Sequence, residues 1–127
     1  MKTKQSFSIH KRLKSFTFAV NGLKILLREE HNAQIHLAIT ICVTIIGFLL
    51  QISLIEWIAV VLCIGLVFAL ELVNSAVENM CDFISPEKNE MIKKVKDLSA
   101  AAVLVAAACS VIVGLIVFLP KIIALIV

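Results

Sequence analysis

The run W-I-A-V-V-L-C-I-G-L-V-F-A-L at residues 57–70 passes without a break into E-L-V-N-S-A-V-E-N-M-C-D at residues 71–82. The first part is uncharged and long enough to enter a bilayer. The second carries Glu71, Glu78 and Asp82. A helix turns by about 100° per residue, so Glu71, Asn74, Glu78 and Asp82 fall in one narrow stripe, with Ser75 beside it. Carboxylates facing lipid would be very costly. Such a stripe in a spanning helix therefore faces a bundle interior, a cavity or a partner, and it marks function by default. With Glu56 at the outer surface, Glu71 lies about 22 Å along the axis at 1.5 Å per residue. In a hydrocarbon core about 30 Å thick, that is inner-leaflet depth. Glu78 and Asp82 lie progressively nearer the cytosol.

Working outward, the rest of the chain agrees with a membrane protein. Of 127 residues, 61% are hydrophobic, above the roughly half expected of a soluble domain. The length suits one domain, residues 1–127. Residues 1–8 are polar and expected to fray. Residues 9–28 read as an amphipathic helix, with Leu13, Phe16, Val20, Leu23 and Leu27 on one side and Lys14, Asn21, Lys24 and Arg28 on a neighbouring face. A basic amphipathic helix of this kind lies in the membrane interface. Spanning helices are predicted over 33–50, 54–84 and 97–119. The fold class is thus all-α, a surface helix plus three transmembrane helices.

Local signals set the joints. Ser53 and Glu56 form a capping box after the tight turn Gln51-Ile52-Ser53. Ser85-Pro86-Glu87 reads as an N-cap, first-turn Pro and acidic residue starting a new turn or helix. Pro120 is expected to close the third span. Ala102, Ala106, Ser110 and Gly114 recur every four residues, a spacing that lets helices approach closely and points to packing within or between protomers. No cleavable leader is evident. Cys42, Cys63, Cys81 and Cys109 show no C-x-x-C pair and read as small buried hydrophobes.

Charge orients the molecule. Seven of twelve Lys and Arg lie in the first 28 residues and four more between Lys88 and Lys96. By the positive-inside rule the N-terminus and the 85–97 loop face the cytoplasm. Glu29 and Glu30 before the first span, and Lys93, Lys94, Lys96 and Asp97 at the third, gather at that same edge. Carboxylates at one level suit Mg²⁺, which takes one or two of them plus phosphate oxygens. Lysines suit phosphate, and a deeper desolvated acid suits a general base. These parts suggest phosphoryl transfer to something in the membrane. The bland alternative is a polar network with Glu71 paired to Lys96 or to a neighbouring chain. No P-loop or protein-kinase signature occurs. His10 reads as solvated and His31 as a surface residue, whereas His36 reads as an interhelical hydrogen-bonding group.

The segments E-L-V-N-S-A-V-E-N-M-C-D and K-D-L-S-A-A-A-V-L (96–104) closely resemble the prokaryotic diacylglycerol kinase family, which includes undecaprenol kinases. The resemblance covers about residues 10–120. It implies a bacterial inner-membrane homotrimer with a cytoplasmic N-terminus and active sites shared between protomers. It implies ATP- and Mg²⁺-dependent phosphorylation of a membrane lipid alcohol, diacylglycerol or undecaprenol, with no nucleic-acid partner. Glu71 matches the family's general base. Glu30 and Glu78 match metal-holding carboxylates at the nucleotide. Asn74, Lys96 and Asp97 match nucleotide- and phosphate-binding positions, Asp82 and Glu90 match polar positions at the nucleotide end, and Lys11 or Arg12 stands in for a basic residue near ATP. Three positions depart from part of the family. His36 replaces an acidic residue, although Asn32-Ala33-Gln34-Ile35-His36 is similar to the N-x-x-I-H of undecaprenol kinases. Asn89 stands where some members have His, and Phe18 replaces a hydroxyl-bearing aromatic. Two other classes stay open at this level: an ion or proton conductor built on the carboxylate stripe, and a non-catalytic membrane sensor.

Overall fold

A computed structural model describes residues 6–127, so the expected fraying falls partly on residues 1–5, outside that range. Four helices follow in order: α1 (Ile9–Glu29), α2 (His31–Leu49), α3 (Leu54–Ile84) and α4 (Glu90–Ile126). The last three are long and apolar enough to cross a membrane. At 1.5 Å per residue α3 is about 46 Å long, well beyond a hydrocarbon core of about 30 Å. One unbroken helix therefore carries both the apolar run and the polar stripe.

Burial is inverted relative to a soluble protein. Among the described residues, the buried polar side chains are Glu71 and Ser75. Large apolar side chains along all three long helices point outward, among them Ile45, Leu62, Leu104 and Ile116. Where the solvent is lipid, apolar groups outside carry no cost and polar groups turn inward. The α1 stripe is also uncovered within the chain, with Leu13 and Phe16 exposed.

The corner between α1 and α2 is set by Glu30. It is the C-cap of one helix and the N-cap of the next, in extended backbone, and its N–H donates to the Leu26 carbonyl. Gln34 Nε2 donates to the Leu27 carbonyl at 3.1 Å, satisfying an orphan carbonyl of the α1 end. Leu26 and Ala33 bury themselves in the angle.

At the other end, Ile52, Val60 and Val117 form the apolar cluster, with Trp57 and Phe118 against it. The Ser53–Glu56 capping box forms as expected, and Lys121 Nζ lies 3.2 Å from Glu56 Oε1. The Val117 packing and the Lys121–Glu56 pair hold the end of α4 on the start of α3. They explain why Pro120 does not end the third span: α4 runs through it to Ile126. The lost hydrogen bond costs about 3 kcal/mol and is offset by Val117 packing and the Lys121 pair. The second joint also differs from expectation. Ser85 caps the end of α3, and Asn89 is the N-cap of α4, its side chain accepting from the Met91 and Ile92 N–H groups. Asn89 takes this role because its short side-chain oxygen reaches N2 and N3 donors. Of the cysteines, Cys81 is buried, Cys63 is intermediate, and Cys42 and Cys109 are exposed. The apolar run gives those last two an outward face that costs nothing in lipid. In the small-residue series, Ala106 is buried but Ala102 is exposed.

Gly47 is where the first hairpin admits no side chain. A Cβ there would stand 2.7 Å from Trp57 Cη2, and Trp57 is held against Phe48, their ring centroids 4.8 Å apart. Gly47→Ala is expected to lower stability by about 1–3 kcal/mol, as overpacking does. Unfolding in a detergent titration measures it, and an unchanged midpoint would show that Trp57 moves aside freely.

Candidate active site

Helices α2 and α3 run antiparallel, and two contacts tie them in register. The Ser75 hydroxyl donates to Glu30 Oε1 at 3.1 Å. Five to six residues further along α2, His36 Nε2 lies 3.2 Å from Glu71 Oε1. The imidazole N–H is not aligned on that oxygen, so Oε1 has no hydrogen-bond partner. Glu71 is 2% exposed. The buried Asn74 Oδ1 is likewise without a partner. Buried polar atoms are almost always hydrogen-bonded. Two such acceptors lie one helical turn apart on the face turned inward.

Toward the Asp82 end the stripe becomes a like-charge cluster. Glu30, Asp82 and Glu71 all lie near enough to Glu78 to repel its charge, and Lys96 offsets them. Lys96 Nζ donates to Asp82 Oδ1, and Lys93 Nζ to Asp97 Oδ2 at 2.7 Å. The pairing of Glu71 with Lys96, open from the sequence, is therefore not formed. Lys96 sits about 17 Å of helix rise from Glu71, if the rise to its partner Asp82 is counted. No three His, Cys, Asp or Glu side chains among the described residues converge as a metal cage. Glu30 and Glu78, near enough for their charges to repel, are the carboxylates that could hold Mg²⁺, which uses few protein ligands and takes the rest from phosphate and water.

The other expected site residues extend from the Asp82 end of this cluster or lie away from it. Glu90 lines a polar hollow with Asp82, Lys93 and Lys96 at the α3–α4 loop. Asp97 is on the exposed side of α4, facing Lys93. Lys11 and Arg12 are at the far end of α1, about 28 Å of helix from Glu30, and Arg12 packs over the Phe7 ring. Phe18 is exposed on α1.

Above Glu71 an apolar cavity of about 250 Å³ opens between α2, α3 and α4, from His36 past Val67 and Ile64 to Gly114. The hydroxyls on its wall are spent on their own helices: Thr40 donates to the His36 carbonyl at 2.7 Å and Ser110 to the Ala106 carbonyl at 2.8 Å. Sequence reasoning did not connect His36 with Glu71, nor Ser75 with Glu30. Both pairings follow from how α2 lies antiparallel on α3, which no local pattern encodes.

Known proteins are similar to this chain in sequence. The family model for prokaryotic diacylglycerol kinase matches residues 17–118. The chain is 42% identical over 113 residues to an undecaprenol kinase of Bacillus subtilis, covering 89% of this chain and 92% of that protein. It is 34% identical over 116 residues to a diacylglycerol kinase of Synechocystis, covering 91% of this chain and 66% of that one. It is 36% identical over 95 residues to a diacylglycerol kinase of Haemophilus influenzae, covering 74% and 80%. The inward carboxylate stripe and the matches over most of the chain agree: the protein belongs to the prokaryotic diacylglycerol kinase family.

Proposed function

We propose that this chain is an ATP- and Mg²⁺-dependent lipid kinase acting at the cytoplasmic face of a bacterial inner membrane. The observation that carries the reading is Glu71, a carboxylate buried where an apolar cavity meets a cluster of acids. The acceptor lipid enters sideways from the inner leaflet, its tail along the cavity and its hydroxyl at Glu71. Glu71 Oε1, which has no hydrogen-bond partner, orients the hydroxyl and takes its proton. The hydroxyl oxygen then attacks the γ-phosphorus in line as the bond from that phosphorus to the β,γ-bridging oxygen breaks and ADP leaves with its electrons, which is positioning plus electrostatic stabilisation, as phosphoryl transfer generally requires. Glu30 and Glu78 hold Mg²⁺, which when bound neutralises charge on the phosphate oxygens. Asn74 and Lys96 bind the nucleotide's phosphates, and Asp97 and Glu90 its outer part. For Lys96 this means leaving Asp82. Lys11 and Arg12 lie too far along α1 to serve a nucleotide held on Glu30 of the same chain. Their part in the site fits a homotrimer in which a second copy supplies them.

The acceptor is a hydrocarbon-tailed alcohol such as undecaprenol in preference to diacylglycerol. Both wall hydroxyls of the cavity are spent on backbone carbonyls, leaving none to meet diacylglycerol's ester carbonyls. An isoprenoid tail needs no donor. The N-x-x-I-H segment and the undecaprenol kinase similar to this chain support the same choice. Purified protein given ATP, Mg²⁺ and a panel of lipid alcohols is expected to phosphorylate undecaprenol at least tenfold faster than diacylglycerol. Equal rates would overturn the acceptor assignment. Transfer to no lipid alcohol would overturn the kinase itself and return the carboxylate stripe to ion conduction, which vesicle flux measures.

A further inference from the structure

The reaction proposed above gives Glu71 a role and leaves its neighbour without one. His36 approaches Glu71 from α2, 3.2 Å away, and lines the apolar cavity on its other side. We propose that His36 is a positioning residue for the acceptor reaction: its imidazole holds the Glu71 carboxylate in the orientation that receives the lipid hydroxyl. This rests on the lipid-kinase reading.

The groups around Glu71 leave His36 this task. Glu30 is engaged by Ser75 from α3, and Lys96 on α4 by Asp82. Glu78 carries the same charge as Glu71 and is repelled by it. Thr40 and Ser110 direct their hydroxyls to their own helices. Among the described residues, the imidazole is therefore the basic group within 4.0 Å of the Glu71 carboxylate. A carboxylate this buried is costly without a donor, and one whose orientation is free gives the hydroxyl no fixed acceptor. The His36 side chain is 23% exposed, so the ring has room to turn. For this role the ring turns until its N–H points at Oε1, an alignment it does not have at 3.2 Å.

Steady-state kinetics on the full-length protein in lipid vesicles tests this with His36→Leu, His36→Gln, Glu71→Gln and the double variant His36→Leu/Glu71→Gln. His36→Leu is expected to lower kcat for the lipid at least tenfold, with KM for ATP within twofold of the starting protein. His36→Gln, which restores a donor, should recover part of that loss. In the Glu71→Gln background His36→Leu should have no further effect, because residues acting through one another are not additive. A merely structural role would instead give multiplied losses and a changed KM for ATP. Multiplied losses, or an active His36→Leu within twofold of the starting kcat, overturn the proposal. Should His36→Leu fail to fold, His36→Asn takes its place in the same cycle. If the unaltered protein phosphorylates no lipid alcohol, the kinase reading has failed and this role falls with it. An active enzyme indifferent to His36 removes this role alone.

Discussion

Glu71→Gln is expected to lower lipid phosphorylation by about two to four orders of magnitude, the usual contribution of a positioned general base, with nucleotide affinity unchanged within a few-fold. The reason is local. Glu71 is 2% exposed and lies about 10 Å of helix from Glu78, so an amide there removes the proton acceptor without touching the nucleotide end. Gln is nearly the same size, so the cavity keeps its shape. Rapid-mixing kinetics with radiolabelled ATP, beside equilibrium nucleotide binding, separates the two quantities. Turnover within tenfold of the starting enzyme would remove Glu71 from the base role. A parallel loss of nucleotide binding would place it at the phosphates instead.

Glu78→Gln carries the second large effect, and it has two parts with opposite signs. Turnover is expected to fall about a hundredfold or more. A bound metal's charge stabilisation amounts to several kcal/mol, and each 1.36 kcal/mol is tenfold in rate. Part of the loss should return at high Mg²⁺ in Glu78→Asp, which keeps the carboxylate. Stability without nucleotide should rise. Glu78 stands among Glu30, Glu71 and Asp82, all of like charge, against one nearby lysine. Neutralising one member relieves that repulsion, the familiar trade between a strained site and a stable fold. The thermal unfolding midpoint of the metal-free protein reports it. A lower midpoint would mean that Glu78 supports the fold, and full activity would exclude it as a metal ligand.

Much of the architecture was legible because a bilayer simplifies the code. An apolar run of sufficient length has one favourable state, a spanning helix, so the three long helices and the amphipathic α1 follow from pattern alone. The capping box at Ser53 and Glu56 was legible for a similar reason, since it is closed within four residues. The errors fell where long-range contacts outweigh local chemistry. Pro120 is a helix-ending signal by itself, yet Val117 and the Lys121–Glu56 pair carry α4 past it. Ser85 and Asn89 are both good N-caps, and the sequence does not rank them.

The candidate site divides in the same way. By itself, the sequence determined that Glu71, Asn74, Glu78 and Asp82 share a face and that this face cannot meet lipid, because helical periodicity and the cost of a desolvated charge are local facts. Only the tertiary structure decided what that face meets. It placed Ser75 on Glu30, His36 beside Glu71 and Lys96 on Asp82. The first two depend on the antiparallel offset of α2 on α3, set by packing at the Leu26–Ala33 corner and the Gly47–Trp57 turn; the third depends on how α4 lies on α3, held by Val117 and the Lys121–Glu56 pair.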